Sequence, residues 1–227
     1  MAWDTRGGIP AAAGLQDRIA FVRQVYLWLV GGFAVAGLGA LSGPFVAAWL
    51  LPLTGRFFVW VLFGAQFGTL LWASAVSRRK PMNRLAFGVF TFVSGVIAGI
   101  LSLVVARQAG LGTVLAAFGM TAADFLVLTA VAMVSRRDFS FLRSFVIVGI
   151  SIMFFGGLIA AIFNLSTLSL LVSAVAVIAC SAKLLWDTSA MLRTGDLEDP
   201  AGFALSLFVS LYNIFISLLN LLGNRRS

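Results

Sequence analysis

Histidine is absent from this sequence of 227 residues, and cysteine occurs once, as Cys180. A single cysteine forms no disulfide within the chain. Without histidine or a group of cysteines, the chain also lacks the ligands that hold zinc and other transition metals. These absences exclude metalloprotease chemistry, and we expect no bound cofactor.

Charged residues are also scarce, at 11% of the chain, whereas 61% of the residues are hydrophobic. The mean hydropathy is +1.04. An average soluble domain is roughly half apolar and about 25% charged. The composition therefore predicts an integral membrane protein, which we interpret as a single transmembrane domain over 1–227 with a short cytoplasmic N-terminal segment at 1–22.

The few charges lie in short runs between apolar stretches, and each stretch is near the roughly 20 residues that a transmembrane helix needs. The net charge is +8, but the basic residues are not gathered on one face, so we expect no nucleic acid partner. Most of them lie on one side of the predicted membrane, which places the N-terminus in the cytoplasm and the C-terminus outside. Seven spans are predicted, at 25–48, 57–76, 85–106, 112–134, 144–164, 168–192 and 203–222.

The stretch 40–57 is the ambiguous part of this pattern. It contains Gly43, Pro44, Pro52 and Gly55 within an otherwise apolar sequence, and glycine and proline commonly interrupt helices. We therefore expect the first helix to end near residue 48, with a short re-entrant or interfacial segment as an alternative.

The seventh span carries a stripe of polar residues. They are spaced by four, three, four and three positions, which places them on one face of a helix. The stripe predicts a face that avoids lipid, either as hydrogen-bonding contacts between helices or beside water. Its members are Ser206, Ser210, Asn213, Ser217 and Asn220.

Asp187 and Ser210 lie at matching depths in the sixth and seventh spans, where they are expected to face each other. A carboxylate inside the membrane is costly and usually faces a cavity or a partner. The structural alternative for Asp187 is an ion pair with Lys183, one helical turn earlier.

Asp124 is the deepest acidic residue, near the middle of the fourth span, on the same face as Thr113, Ala117 and Thr121. No basic residue is an obvious partner at that depth. We interpret Asp124 as a second functional candidate that is either protonated or lines a hydrated path.

Five segments, in this order and spacing, resemble the Bax inhibitor-1 family of multi-pass membrane proteins, also called TMBIM proteins. The resemblance implies an all-α membrane protein of seven transmembrane helices, with the C-terminal helix central and surrounded by the other six. It also implies a bacterial inner-membrane location. The segments are FVSGV at 92–96, AFG at 117–119, SRRDFSFLRSF at 135–145, LLWDTSAM at 184–191 and ALSLFVSLYNIFISLLNLLG at 204–223.

The resemblance further implies that, in relatives, a pair of aspartates on helices 6 and 7 gates a pH-sensitive calcium leak. Asp187 matches the first position and is the one candidate calcium ligand. Ser210 stands at the second position, and Lys183 replaces a residue that is usually aromatic or apolar. The expected ion path or gate comprises Asp187, Ser210, Asn213, Ser206, Lys183 and Asp124.

Three functions follow as hypotheses. The first is a passive calcium conductance along the last helix, although Ca²⁺ prefers six to eight oxygen ligands and a single aspartate beside a lysine offers few. The second is a non-conducting regulatory protein that modulates a membrane-bound ATP-dependent protease, as some bacterial relatives do. The third is a transporter that carries a proton on Asp124. An enzyme is not expected, because the chain has no paired intramembrane aspartates and no serine–histidine pair. Membrane lipids, calcium or other cations and a membrane protease are the expected partners.

Overall fold

A computed structural model describes residues 13–135, 138–193, 197 and 199–224, except for the side chains of Ala13 and Leu15. The described residues form seven α-helices and no strands. The helices are α1 (Ala13–Thr54), α2 (Phe58–Ala75), α3 (Met82–Ala109), α4 (Leu111–Ser135), α5 (Leu142–Phe163), α6 (Ser166–Arg193) and α7 (Pro200–Gly223).

The prediction of an all-helical membrane protein is confirmed. Five of the seven predicted spans fall within these helices, whereas 57–76 extends one residue beyond each end of α2 and 144–164 extends one residue beyond the end of α5. Six helical segments in the described part of the chain are long and apolar enough to cross a membrane. The number is six because the first segment, Gln16–Ala75, includes both α1 and α2, which a short 3-10 turn at Gly55–Phe57 joins.

The expected break near residue 48 is wrong, because α1 continues through Pro44 and Pro52 to Thr54. Pro44 has no N–H to donate to the carbonyl of Ala40, four residues earlier. That carbonyl lies against Gly99 of α3, where even a methyl group would overlap it. Packing against α3 therefore accommodates the proline. The helix ends where Gly55 takes a left-handed conformation, with φ of 51°, which glycine adopts readily.

The interface between α1 and α3 is built from small residues that bring the two backbones together. A methyl group on Gly95 would overlap the backbone of Ala36, and one on Gly43 would lie 2.7 Å from the carbonyl oxygen of Val96. Contacts advance in the same direction along both helices, so α1 and α3 run parallel. The glycine-rich part of α3 thus serves close helix packing, as small residues commonly do in membranes.

This packing predicts that Gly95→Ala destabilises the protein by about 1–3 kcal/mol, the usual cost of overpacking. The control is Gly64→Ala on α2, where a methyl group meets no neighbouring atom. Both changes raise helix propensity by a similar amount, so their difference isolates the α1–α3 contact. Unfolding in detergent, monitored by tryptophan fluorescence, measures the difference in stability between the two variants. Equal stability of the two variants would contradict the packing argument.

The C-terminal helix α7 is enclosed by its neighbours. Every residue from Pro200 to Gly223 is buried or half-buried. It packs against α1, α2, α3, α4 and α6, so it is surrounded by five helices rather than the expected six. Helix α5 lies outside α6 instead, because Gly149 and Gly156 of α5 pack closely on Ala179 and Val172 of α6.

Candidate functional site

A cluster of three polar side chains joins α6 to α7. Lys183 and Asp187 lie one turn apart on α6, and the lysine ammonium donates to the Asp187 carboxylate and to the Ser206 hydroxyl of α7. The Ser206 hydroxyl also donates to Asp187, at 2.7 Å. The ion pair that was the structural alternative for Asp187 is therefore present. Asp187 lies six residues before the end of α6, and Ser206 lies six residues after the start of α7. At a rise of about 1.5 Å per residue, these two members of the cluster lie roughly 9 Å inside the bundle.

Ser210 is not a hydrogen-bond partner of Asp187, although the two side chains were expected to face each other. Its hydroxyl donates to the backbone carbonyl of Ser206 at 3.1 Å. The amide of Asn213 likewise donates to the carbonyl of Val209 at 2.8 Å. Both groups donate to carbonyls of their own helix, as short polar side chains often do. The α7 residue that bonds to Asp187 is Ser206, one turn before Ser210.

The far end of the α7 stripe connects helices. The amide of Asn220 donates to the hydroxyls of Ser169 and Ser173 on α6, at 3.0 and 2.9 Å, and Ser217 is buried. These contacts match the interhelical role of polar residues in membranes. The stripe thus divides into a charged cluster at one end and polar helix contacts at the other.

Asp124 belongs to a separate site. Its carboxylate accepts a hydrogen bond from Ser181 of α6 at 2.9 Å. Ser181 precedes Lys183 by two residues, and positions two apart point to different sides of a helix. The structure therefore does not bring Asp124 together with the Lys183 cluster. Its role as a proton carrier or pH sensor stays a prediction.

Two cavities meet at Lys183. The first, which we call the vestibule, has a volume of about 460 Å³ and lies between α2, α6 and α7. The second, the inner cavity, has a volume of about 660 Å³ and is lined mainly by α2, α5, α6 and α7. Leu70, Lys183 and Val209 line both. These three side chains therefore form a partition between the two spaces.

The vestibule carries both negative charges that face this part of the bundle, Asp187 and Asp199. Asp199 caps α7 by accepting from the Gly202 N–H at 2.8 Å, and it also accepts from the Ser77 hydroxyl at 3.1 Å. Arg78 lies 3.7 Å from the same carboxylate. Sequence reasoning missed Asp199, although an aspartate directly before a proline is a common helix start.

A third ion pair ties the α4–α5 connection to the end of α6. Arg193 lies 2.8 Å from Asp138. Hydrogen bonds from the hydroxyl and the N–H of Ser140 hold the pKa of the exposed Asp138 carboxyl below its usual value, and the Arg193 charge lowers it further. The connections after α2, α4 and α6 therefore lie at one end of the bundle, the end that the charge pattern assigns to the cytoplasm.

Gln66 is a further polar residue that sequence reasoning missed. Its amide donates to the Ser94 hydroxyl of α3 at 2.9 Å, and it lines the inner cavity. An amide in the middle of an apolar helix was an available signal. Within the part of the chain that the structure describes, no group of three or more acidic, cysteine or histidine side chains is arranged to hold a metal ion.

Comparison with known proteins finds the same family over nearly the whole chain. The family described as "Inhibitor of apoptosis-promoting Bax1" matches residues 18–227. The Escherichia coli K12 protein named "Modulator of FtsH protease YccA" is 34% identical over 204 residues, 89% of each chain. A Campylobacter jejuni protein, Cj0236c, is 30% identical over 208 residues, which cover 91% of this chain and 89% of the relative. The YccA of another E. coli strain is named an inner membrane protein.

Proposed function

Because this chain belongs to the Bax inhibitor-1 family, we propose that it is an inner-membrane protein that regulates a membrane-bound ATP-dependent protease of the FtsH type. The similarity to the E. coli protease modulator supports the proposal, since it extends over 89% of both chains. Fold similarity alone does not fix function. The Lys183 cluster supplies a separate argument, which concerns ion conduction and not protease binding.

The observation that carries a non-conducting role is the position of the Lys183 ammonium. It is bonded to the Asp187 carboxylate and stands in the partition between the vestibule and the inner cavity. A positive charge at a narrow point is a barrier to cations. A calcium ion that reached Asp187 would have to displace an ammonium that is already bonded there.

We also propose seven membrane crossings, with the N-terminus in the cytoplasm and the C-terminus outside. The 60-residue segment from Gln16 to Ala75 is roughly 90 Å long at a 1.5 Å rise, about three times the hydrocarbon thickness. Since α1 and α3 run parallel, α2 has to return across the membrane between them. The single transmembrane domain over 1–227 is part of the same proposal.

Co-reconstitution with a purified FtsH-type protease tests the regulatory function. We expect the full chain to co-purify with the protease from detergent extracts and to slow degradation of a membrane substrate in a saturable way. An unrelated multi-pass protein at the same lipid ratio is the control. The variant Lys183→Met/Asp187→Asn should regulate as well as the unchanged chain, because regulation does not pass through the ion pair. If the chain neither bound the protease nor slowed degradation, the proposal would be contradicted.

A second candidate function is the cation leak, which the alignment of the two cavities along α7 favours. The vestibule offers two carboxylates, and the inner cavity continues beyond the partition of Leu70, Lys183 and Val209. Movement of the Lys183 side chain would join the two spaces. Calcium flux through reconstituted liposomes separates this function from regulation.

A further inference from the structure

The inner cavity is bordered by α2 and α5. These helices do not pack against each other along their backbones in the described part of the chain. They meet through aromatic rings. The centroid of the Phe154 ring lies 6.2 Å from that of Phe63 and 5.5 Å from that of Phe67. Trp60 and Phe63 are 38% and 42% exposed. The mouth of the cavity is therefore apolar, and in a membrane it would border the acyl chains.

The inner end of the same cavity is polar. Gln66, Lys183, Ser210, Tyr212 and Asn213 line it. Among the lining residues Lys183 is the one charged side chain, and both nearby carboxylates line the vestibule rather than this cavity. The cavity thus combines an aromatic entrance with a positive inner end, which complements a molecule that has an apolar tail and an anionic head.

Lys183 has a hydrogen-bond donor left for such a head group. An ammonium carries three N–H donors, and in the structure Asp187 and Ser206 accept from two of them. The Tyr212 hydroxyl is a second donor among the residues that line this cavity. Hydrogen bonds to a charged acceptor are stronger than those to a neutral one, so a carboxylate fits these donors better than a hydroxyl.

We propose that the inner cavity binds a single-chain fatty acid, with its tail between α2 and α5 and its carboxylate at Lys183. The volume of about 660 Å³ lies within the range of roughly 300–1,000 Å³ that is typical of small-molecule sites. The site requires neither protease binding nor ion flux, so it stands independently of the proposed function.

Quenching of Trp60 by a brominated fatty acid tests the site. The full chain is placed in nanodiscs of unbrominated phosphatidylcholine at pH 8 and titrated with dibromostearic acid. Since the chain has six tryptophans, the Trp60 signal is the difference between the unchanged chain and Trp60→Phe. We expect saturable quenching that oleic acid displaces about tenfold better than oleyl alcohol, the difference that a charge-assisted hydrogen bond supports.

Two variants separate a bound fatty acid from ordinary surrounding lipid. Lys183→Met/Asp187→Asn should bring the acid and the alcohol to equal potency. Ala161 is an exposed residue of α5 that lines the cavity and is not part of the Lys183 cluster. Ala161→Phe should fill the cavity and remove saturable quenching. Ala130→Phe, at an exposed alanine of α4, should leave it unchanged. Quenching of the unchanged chain that never saturates, or equal displacement by acid and alcohol, would overturn the proposal. Saturable quenching that persists in Ala161→Phe would do the same.

Discussion

Replacing Lys183 with methionine is expected to destabilise the protein by about 3–5 kcal/mol, the cost of leaving one member of a buried ion pair without its partner. Both side chains of the pair are largely enclosed, at 17% and 13% exposed. The Ser206 hydroxyl alone would then have to stabilise the Asp187 carboxylate inside the membrane.

The double variant Lys183→Met/Asp187→Asn should recover most of that loss, because it removes both charges and keeps a side chain that hydrogen-bonds to Ser206. Arg78→Met is the matched control. It breaks the ion pair with Asp199, but the Arg78 side chain is 63% exposed, so we expect a change of roughly 0–1 kcal/mol. Unfolding in detergent of the unchanged chain, these three variants and the single variant Asp187→Asn gives the comparison. Additive effects of the two single changes would contradict a coupled pair.

Calcium flux is expected to appear when Lys183→Met is combined with Ser210→Asp. Ser210 and Lys183 line the same cavity. The combined variant removes the positive charge at position 183 and adds a second carboxylate at position 210, one turn from Ser206. Two carboxylates supply more of the oxygen ligands that Ca²⁺ prefers, and acidic side chains in a pore favour cations.

The single variants are the controls for this gain. Ser210→Asp alone should stay closed, because the Lys183 ammonium then lies between two carboxylates and remains paired. Lys183→Met alone lacks the second carboxylate. Dye-loaded liposomes at pH 6 and pH 8 measure all four chains. Flux in Ser210→Asp equal to that of the combined variant would show that Lys183 does not control the path.

Much of the helical layout follows from the sequence, because apolar stretches of transmembrane length between charged runs have few other structures in lipid. The polar spacing in α7 predicted a face that avoids lipid, and all five of its residues are buried or half-buried. The continuity of α1 did not follow, since Pro44 reads as a helix break on its own. It is accommodated by Gly99, which lies 55 positions away and meets Ala40 only in the folded bundle.

The site was predicted less completely, for a geometric reason. Ser206 and Ser210 lie on the same face of α7, so periodicity cannot tell which of them meets Asp187. That choice depends on how far α7 slides along α6, and the contacts of Asn220 with Ser169 and Ser173 help to fix it. The two cavities left no pattern in the sequence, because each is enclosed by residues of several helices that meet only in the folded bundle.

The most direct test of the account is the calcium flux of the unchanged chain in dye-loaded liposomes. If the Lys183 ammonium occupies the cation position at Asp187, flux at pH 6 and at pH 8 should equal that of empty vesicles. Flux above empty vesicles that Asp187→Asn abolishes would contradict the account, because it would show that cations reach this carboxylate in the presence of Lys183.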